Sequence, residues 1–273
     1  TCQTIEAVPT VQVCEDVTRK MMQITLRTAL RFNLFRRTAS VVAVGITLLL
    51  LKLGAAAQAT DPQAPVFSEH FMQWTAGDSG AATFDTTRFG KPVVSGNMIL
   101  VLAHWNDQDI TATITDSRSN KYLPLVQPLN AGRTERFQAW YARNVKGGAE
   151  VSVTINFSKK TRSFSVIDAI EYAGLDKASP LIAAVSAVGS GNTQSSGPIA
   201  ATGAQGCLLI GLFGYSNYAL PYKAGQDFTM RAYEASTMIE DSDCSAGGVD
   251  TAIAISSNAA DWAAIGAAFR KAL

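Results

Sequence analysis

Apolar residues in this chain recur at every second position in short runs, and that period-two pattern constrains the fold more than any other feature. The runs include NMILVLAHW (97–105), ITATITD (110–116), AEVSVTINF (149–157), SFSVIDAIEY (163–172), CLLIGLFGY (207–215), DFTMRAYEA (227–235), VDTAIAIS (249–256) and WAAIGAAF (262–269). Turn clusters separate them: DSRSN (116–120), VKGG (145–148), GSGN (189–192) and AGG (246–248). Short β-branched and aromatic runs spaced about ten residues apart predict antiparallel strands rather than βαβ units. The alanine-rich tail AADWAAIGAAFRKAL (259–273) fits a helix by composition, yet a closing sheet takes it as the last strand. The expectation is an all-β, antiparallel two-sheet β-sandwich of jelly-roll type, with about a dozen strands. No Pro-, Gly- or Ser-rich linker divides residues 60–273, so they are predicted to form one domain.

The first 59 residues read differently. An apolar run, Val41–Leu51, ends at Lys52. It falls well short of the roughly 20 residues that span a bilayer. Arg27, Arg31, Arg36 and Arg37 precede it with no acid among them, and Ala57-Gln58-Ala59 follows as an A-x-A exit. These are the three parts of a secretory signal peptide, here residues 21–59, with cleavage expected after Ala59. Arg36-Arg37 is followed by Thr-Ala-Ser rather than an apolar context, which favours general secretion over a twin-arginine route. Met21-Met22 stand just ahead of the basic stretch, so residues 1–20 read as an upstream segment foreign to the exported protein. The mature form is expected in the extracellular or periplasmic space, without a membrane span.

Charge narrows the partners. Residues 1–59 hold seven of the 23 basic and three of the 22 acidic residues, leaving 16 basic against 19 acidic and a net charge of −3. No basic stripe is present, which argues against nucleic acid as a partner. Two cysteines remain, Cys207 and Cys244, in a compartment that permits a disulfide. They can pair if their Cα atoms approach within about 4.4–6.8 Å; otherwise Cys207 is a buried thiol in an apolar strand.

Several segments carry a resemblance. ITDSRSNKY (114–122), FQAWYARNVKGG (137–148), IEYAGLDKASPL (170–181), SSGPIAATGAQGCLLIG (195–211) and DWAAIGAAF (261–269) follow one another in an order similar to that of an uncharacterised β-sandwich module of secreted bacterial proteins, one found beside immunoglobulin-like or fibronectin type III repeats. The resemblance spans nearly all of 66–270 and rests on turns and strand ends. It implies a fold and brings no catalytic residues with it. In DSRSN, Asp116 can bond its own turn and Asn120 tolerates a left-handed backbone, which predicts a hairpin. Pro180 and Pro198 suit strand ends or edges.

The search for chemistry is mostly elimination. GDSGA (77–81) resembles the nucleophile loop of trypsin-like proteases, but only Asp61 and His70 precede it, too close for the first barrel of that fold. With His70 and His104 the only histidines, a His-rich metal site is hard to build. Glu240, Asp241 and Asp243 cluster in IEDSDC (239–244). On a strand, Asp241 and Asp243 share one face and Glu240 takes the other; Asp168 and Glu171 likewise oppose each other. A jelly-roll glycosidase or polysaccharide lyase using Glu240 and Asp241 is the enzymatic alternative. Calcium has candidate ligands in Asp107 with Asp109 and in Asp241 with Asp243.

The remaining signal is aromatic. GYSNYALPYKAG (214–225) places Tyr215, Tyr218 and Tyr222 in an expected loop with Asn217, and Trp105 precedes a polar loop. Rings rimmed by amides and carboxylates suit sugar faces, and the same rings can instead plug the ends of a sandwich. Trp140 and Tyr141 are adjacent and must face opposite sides of a strand. The sequence thus points to a secreted, non-catalytic binding or adhesion module, with a polysaccharide or cell-surface glycan as the candidate partner. A structural component of an extracellular assembly is the third reading, and its mark would be an exposed edge strand.

Overall fold

The computed structural model describes residues 66–75, 83–85, 89–161, 165–201, 206–216, 222–234, 236–244 and 248–272. The expected signal peptide (21–59), the upstream segment (1–20) and the GDSGA loop lie outside them. Among the described residues fifteen strands form, in chain order: β1 (Val66–Thr75), β2 (Thr83–Asp85), β3 (Met98–Asn106), β4 (Ala112–Asp116), β5 (Leu123–Pro124), β6 (Leu129–Ala131), β7 (Glu135–Ala142), β8 (Val153–Phe157), β9 (Ser165–Ala173), β10 (Leu181–Ala200), β11 (Cys207–Tyr215), β12 (Tyr222–Lys223), β13 (Thr229–Glu234), β14 (Thr237–Asp243) and β15 (Val249–Arg270). All pairings between them are antiparallel. No described helix is long and apolar enough to cross a membrane. The all-β antiparallel class follows from the period of two.

The strands form three sheets. A central sheet runs β1-β9-β3-β7-β5, with β6 also on β7. A small sheet runs β2-β8-β4, and an outer sheet runs β10-β15-β11-β14-β13, with β12 also on β15. Strands β3, β7 and β9 of the central sheet are buried on both faces. One face of β3, β7 and β9 contributes Ile99, Val101, Trp140 and Ile167 to a cluster with Ile114, Val153 and Ile155 of the small sheet. The opposite face gives Leu100, Leu102, Tyr141 and Ile170 to a cluster with Ile210, Leu212, Ile239 and Phe269 of the outer sheet. Trp140 and Tyr141 fall on opposite faces, as alternation requires. Burial of both faces explains the near-continuous apolar run MILVLAHW, since alternation fades when neither side meets water.

A third cluster covers the far face of the outer sheet, and it forms by folding two strands back. β10 and β15 are 20 and 22 residues long, and their ladder slips between Gly191 and Thr193. The turn expected at GSGN and the break expected after residue 256 are therefore absent: the backbone bends there and the ladder resumes. Beyond the bend, Ile199, Ala252 and Ala254 pack with Leu209, Phe213 and Ala264. Gly211 and Gly266 are register partners that make room for this return. A Cβ on Gly211 would lie 2.8 Å from the Ala252 Cβ, and one on Gly266 would lie 2.6 Å from Ile199 Cδ1.

DSRSN is a turn but not a hairpin. Asp116 accepts from the backbone N–H groups of Arg118 and Asn120, both at 2.9 Å, as expected. The left-handed residue is Ser119 rather than Asn120. The strands on either side belong to different sheets, because β4 pairs with β8 and β5 with β7. Cys207 and Cys244 are joined by a disulfide with Cα atoms 5.2 Å apart. Antiparallel pairing of β11 with β14 brings them together, since the ladder ends at Leu208 opposite Asp243. Closing the 37-residue separation contributes about 4 kcal/mol in the chain-entropy model.

Candidate functional site

The described rings proposed for sugar contact are inside the protein. Tyr215 is 0% exposed and Tyr222 9%. Their rings meet edge-on with centroids 4.6 Å apart, and Tyr222 meets Tyr233 edge-on at 5.4 Å. Gln194 Nε2 donates to the Tyr222 hydroxyl at 3.0 Å, and burial drives that hydroxyl's pKa far up. The cause is the layer folded back over the outer sheet: β11 has both faces covered, so the end of its apolar run is packed too. Trp105 is also fully buried, with Nε1 donating to the Ile110 carbonyl at 3.2 Å. Tyr215, Tyr222 and Trp105 therefore plug the sandwich and offer no platform. Tyr218 and Asn217 lie outside the described residues. Sequence reasoning passed over Tyr233, the outermost ring of the three, at 37% exposure.

The acidic residues of β14 separate as alternation predicts, and each has its own surroundings. Asp241 is buried on the face toward the central sheet, where Arg231 Nε reaches both its oxygens at 2.8 Å and the Tyr172 hydroxyl donates to it at 2.9 Å. Asp243, on the same face but exposed, pairs with Lys271 Nζ at 2.9 Å. Glu240 points the other way and is fully buried. The Gly225 N–H donates to its Oε2 at 2.8 Å, and burial lifts its pKa to about 7. A hydrolytic pair needs two carboxyls facing one substrate bond. Glu240 and Asp241 face opposite layers.

The calcium candidates fare no better. Asp107 Oδ1 accepts from the Asp109 N–H at 3.2 Å, which closes a polar turn. Among the described residues, no three His, Cys, Asp or Glu side chains come together as a metal site. A hard cation takes six or more oxygens, and neither the Asp107/Asp109 pair nor the Asp241/Asp243 pair gathers a third carboxylate.

A polar cluster that was not foreseen lies between the central and outer sheets. His104 Nδ1 and Ser236 Oγ share a hydrogen bond at 2.7 Å, and Thr237 Oγ1 donates to Asp168 Oδ2 at 2.8 Å. The ring of His104 stacks on Phe137 with centroids 4.0 Å apart. Desolvation lowers its pKa to about 3, so it stays neutral at any ordinary pH. Serine, histidine and aspartate together suggest a hydrolytic triad, but the arrangement lacks two requirements. Thr237 Oγ1 donates to Asp168 while His104 shares its Nδ1 bond with Ser236, and His104, Ser236 and Asp168 are each 2% exposed or less. A nucleophile must meet its substrate. A usable signal was parity: His104 and Asp168 occupy the same strand face as Leu102 and Ile170, so each is a polar residue at a core position.

An accessible concavity lies elsewhere among the described residues. A shallow recess of about 540 Å³ sits at the bend of the β10–β15 ladder, lined by Ser190, Gly191, Ser216, Ala259, Ala260 and Asp261. The Ser216 N–H donates to the Asp261 carbonyl at 2.9 Å, which ties the end of β11 to the rim. Comparison of the chain with protein-family models, with curated proteins and with solved structures finds no match.

Proposed function

We propose that this chain is a non-catalytic β-sandwich module of an exported protein, working by association with other macromolecules. The observation that carries this reading is the disposition of its reactive groups. Glu240, Asp241, Asp168 and His104 are buried, and their hydrogen bonds hold one layer to another. Such groups position sheets; they do not turn over a substrate. The basic, apolar and A-x-A segments of residues 21–59 and the Cys207–Cys244 disulfide support export. Support for the finer jelly-roll order, and for kinship with secreted bacterial sandwich modules, remains in strand spacing and turn segments.

A second reading has one observation in its favour. The recess is lined by Ser190, Ser216 and Asp261, which bring two hydroxyls and a carboxylate. Hydroxyls and a carboxylate in an accessible recess suit a glycan. Both readings meet in one experiment. The chain is expressed with residues 21–59, recovered from the exported fraction, and screened for retention on insoluble polysaccharides and for their hydrolysis. Export without hydrolysis is expected. Retention that is lost in Asp261→Ala favours the glycan. Release of reducing sugar overturns the non-catalytic reading.

A further inference from the structure

The two edges of the outer sheet are built differently, and the difference names a partner. β13 closes one edge. It is short, carries Arg231 in an ion pair with Asp241, and its ladder slips between Met230 and Ala232. Charge and a bulge are the usual means of keeping other strands off an edge. β10 closes the other edge, and its proximal half, Leu181–Gly191, reads LIAAVSAVGSG. That stretch has no charge and no proline, and among the described residues β10 pairs with β15 alone. From Ala183 to Gly191 the register with β15 is unbroken, so the backbone groups of a regular strand face outward. Val188 on this strand is 51% exposed.

We infer that β10 pairs antiparallel with β10 of a second copy of this chain, joining two outer sheets into one. The inference rests on the reading of the chain as an association module and names its partner. A two-fold axis through Ser186 places each Val188 against the other copy's Ala184, Val185 against Ala187, and Ala183 against Gly189. The two exposed Ser186 residues then face each other. Small uncharged side chains meet throughout, so self-pairing brings no like charges together. The exposed Val188 gains apolar cover. The axis stays clear of the slip between Leu181 and Ala183 and of the bend after Gly191. The ladder from Ala183 to Gly189 spans about 20 Å. A contact of that size falls below the roughly 1,200 Å² of stable complexes, so the dimer is weak and concentration-dependent.

Sedimentation velocity of the exported protein over a concentration series tests the pairing, with two charge variants on the axis. Position 186 is exposed, so Ser186→Lys and Ser186→Glu leave the fold intact, which circular dichroism checks. Each variant alone sets like charges face to face and should weaken association about ten-fold or more. An equimolar mixture of the two should restore it. Ser186→Cys adds an independent measurement: mild oxidation should give a covalent dimer that reductant separates. Wild-type protein that stays monomeric, variants that associate as wild type does, or a mixture that remains monomeric would each overturn the inference. Monomeric protein without hydrolytic activity overturns the pairing alone and leaves the non-catalytic reading standing.

Discussion

The central sheet has two faces, and they are held by different physics. Toward the small sheet, the contact is built from Ile99, Val101, Trp105, Trp140, Val153, Ile155 and Phe157, with the indole N–H of Trp105 satisfied locally by Ile110. Toward the outer sheet, an apolar cluster of similar extent is pinned by directed bonds: Thr237 to Asp168, His104 with Ser236, and Tyr172 to Asp241, which Arg231 also grips. Hydrophobic burial is non-directional, and it tells two sheets to stack without saying where. A buried hydrogen bond that must be satisfied says where, because displacing it strands a desolvated group. The small sheet needs little such instruction, since its strands are only three to five residues long. The outer sheet carries the long folded-back ladder, and its polar pins hold that sheet in one position.

The comparison breaks most visibly in acid. His104 is neutral in the fold, with a pKa lowered to about 3 from an ordinary 6.5 by burial. The unfolded chain binds the additional proton between those values, so this contribution is present above pH 6.5 and is lost as pH falls toward 3. The loss amounts to about 5 kcal/mol over that window. His104→Phe keeps a ring against Phe137 and cannot titrate. The stability difference between wild type and this variant, from urea unfolding at a series of pH values, should fall by that amount between pH 6.5 and 3. A difference flat with pH would show that the pinned face has no such sensitivity.

On the apolar face the corresponding change is indifferent to pH. Trp105→Ala empties a fully buried site and frees the Ile110 carbonyl. The expected loss is about 4 kcal/mol at every pH from 5 to 8. Denaturant midpoints check it, with an unchanged slope as evidence that both states stay as compact as before. A loss below about 1 kcal/mol would mean that the small sheet moves in to fill the space.

The same contrast explains what could be read beforehand. Alternation revealed the antiparallel class, the opposite facing of Trp140 and Tyr141, and the separation of Glu240 from Asp241, because a period of two is enforced by the backbone itself. It failed at Ser190–Asn192, where Gly, Ser and Asn usually mean a reversal and here only bend two long strands. It failed again at Tyr215, Tyr222 and Trp105. Whether a ring at a strand end is exposed depends on what folds over it, and the ladder that returns across Gly211 and Gly266 is a long-range event. The polar pins were visible as residues out of place, but their partners lie 69 and 132 positions away along the chain.

Glu240 supplies the smallest effect and the sharpest, because its sign is opposite to that of His104. It sits on the far face of the outer sheet, with the Gly225 N–H on one oxygen and Asp241 as its like-charged neighbour. Burial is the leading cause of its shift, and it favours the uncharged acid up to about pH 7 against an ordinary 4.5. A folded-state pKa above the unfolded one means that the native chain holds the additional proton between 4.5 and 7. The stability that goes with it is complete below 4.5, fades as pH rises, and is gone above 7. The difference is about 3 kcal/mol. Between 4.5 and 6.5 this trend runs against that of His104, so the wild-type profile there should be nearly level, with the acid loss steepening only below 4.5. Glu240→Gln keeps the shape, retains an oxygen for Gly225 and carries no charge. Its stability relative to wild type should be near zero at pH 4 and rise to about 3 kcal/mol at pH 8. Hydrogen exchange at Gly225 follows the same transition locally, since an ionised Glu240 draws water toward the loop that this amide anchors. A variant that tracks wild type at both pH values would mean that Glu240 is solvated in the fold, and the far face would then be wetter than its apolar cluster implies.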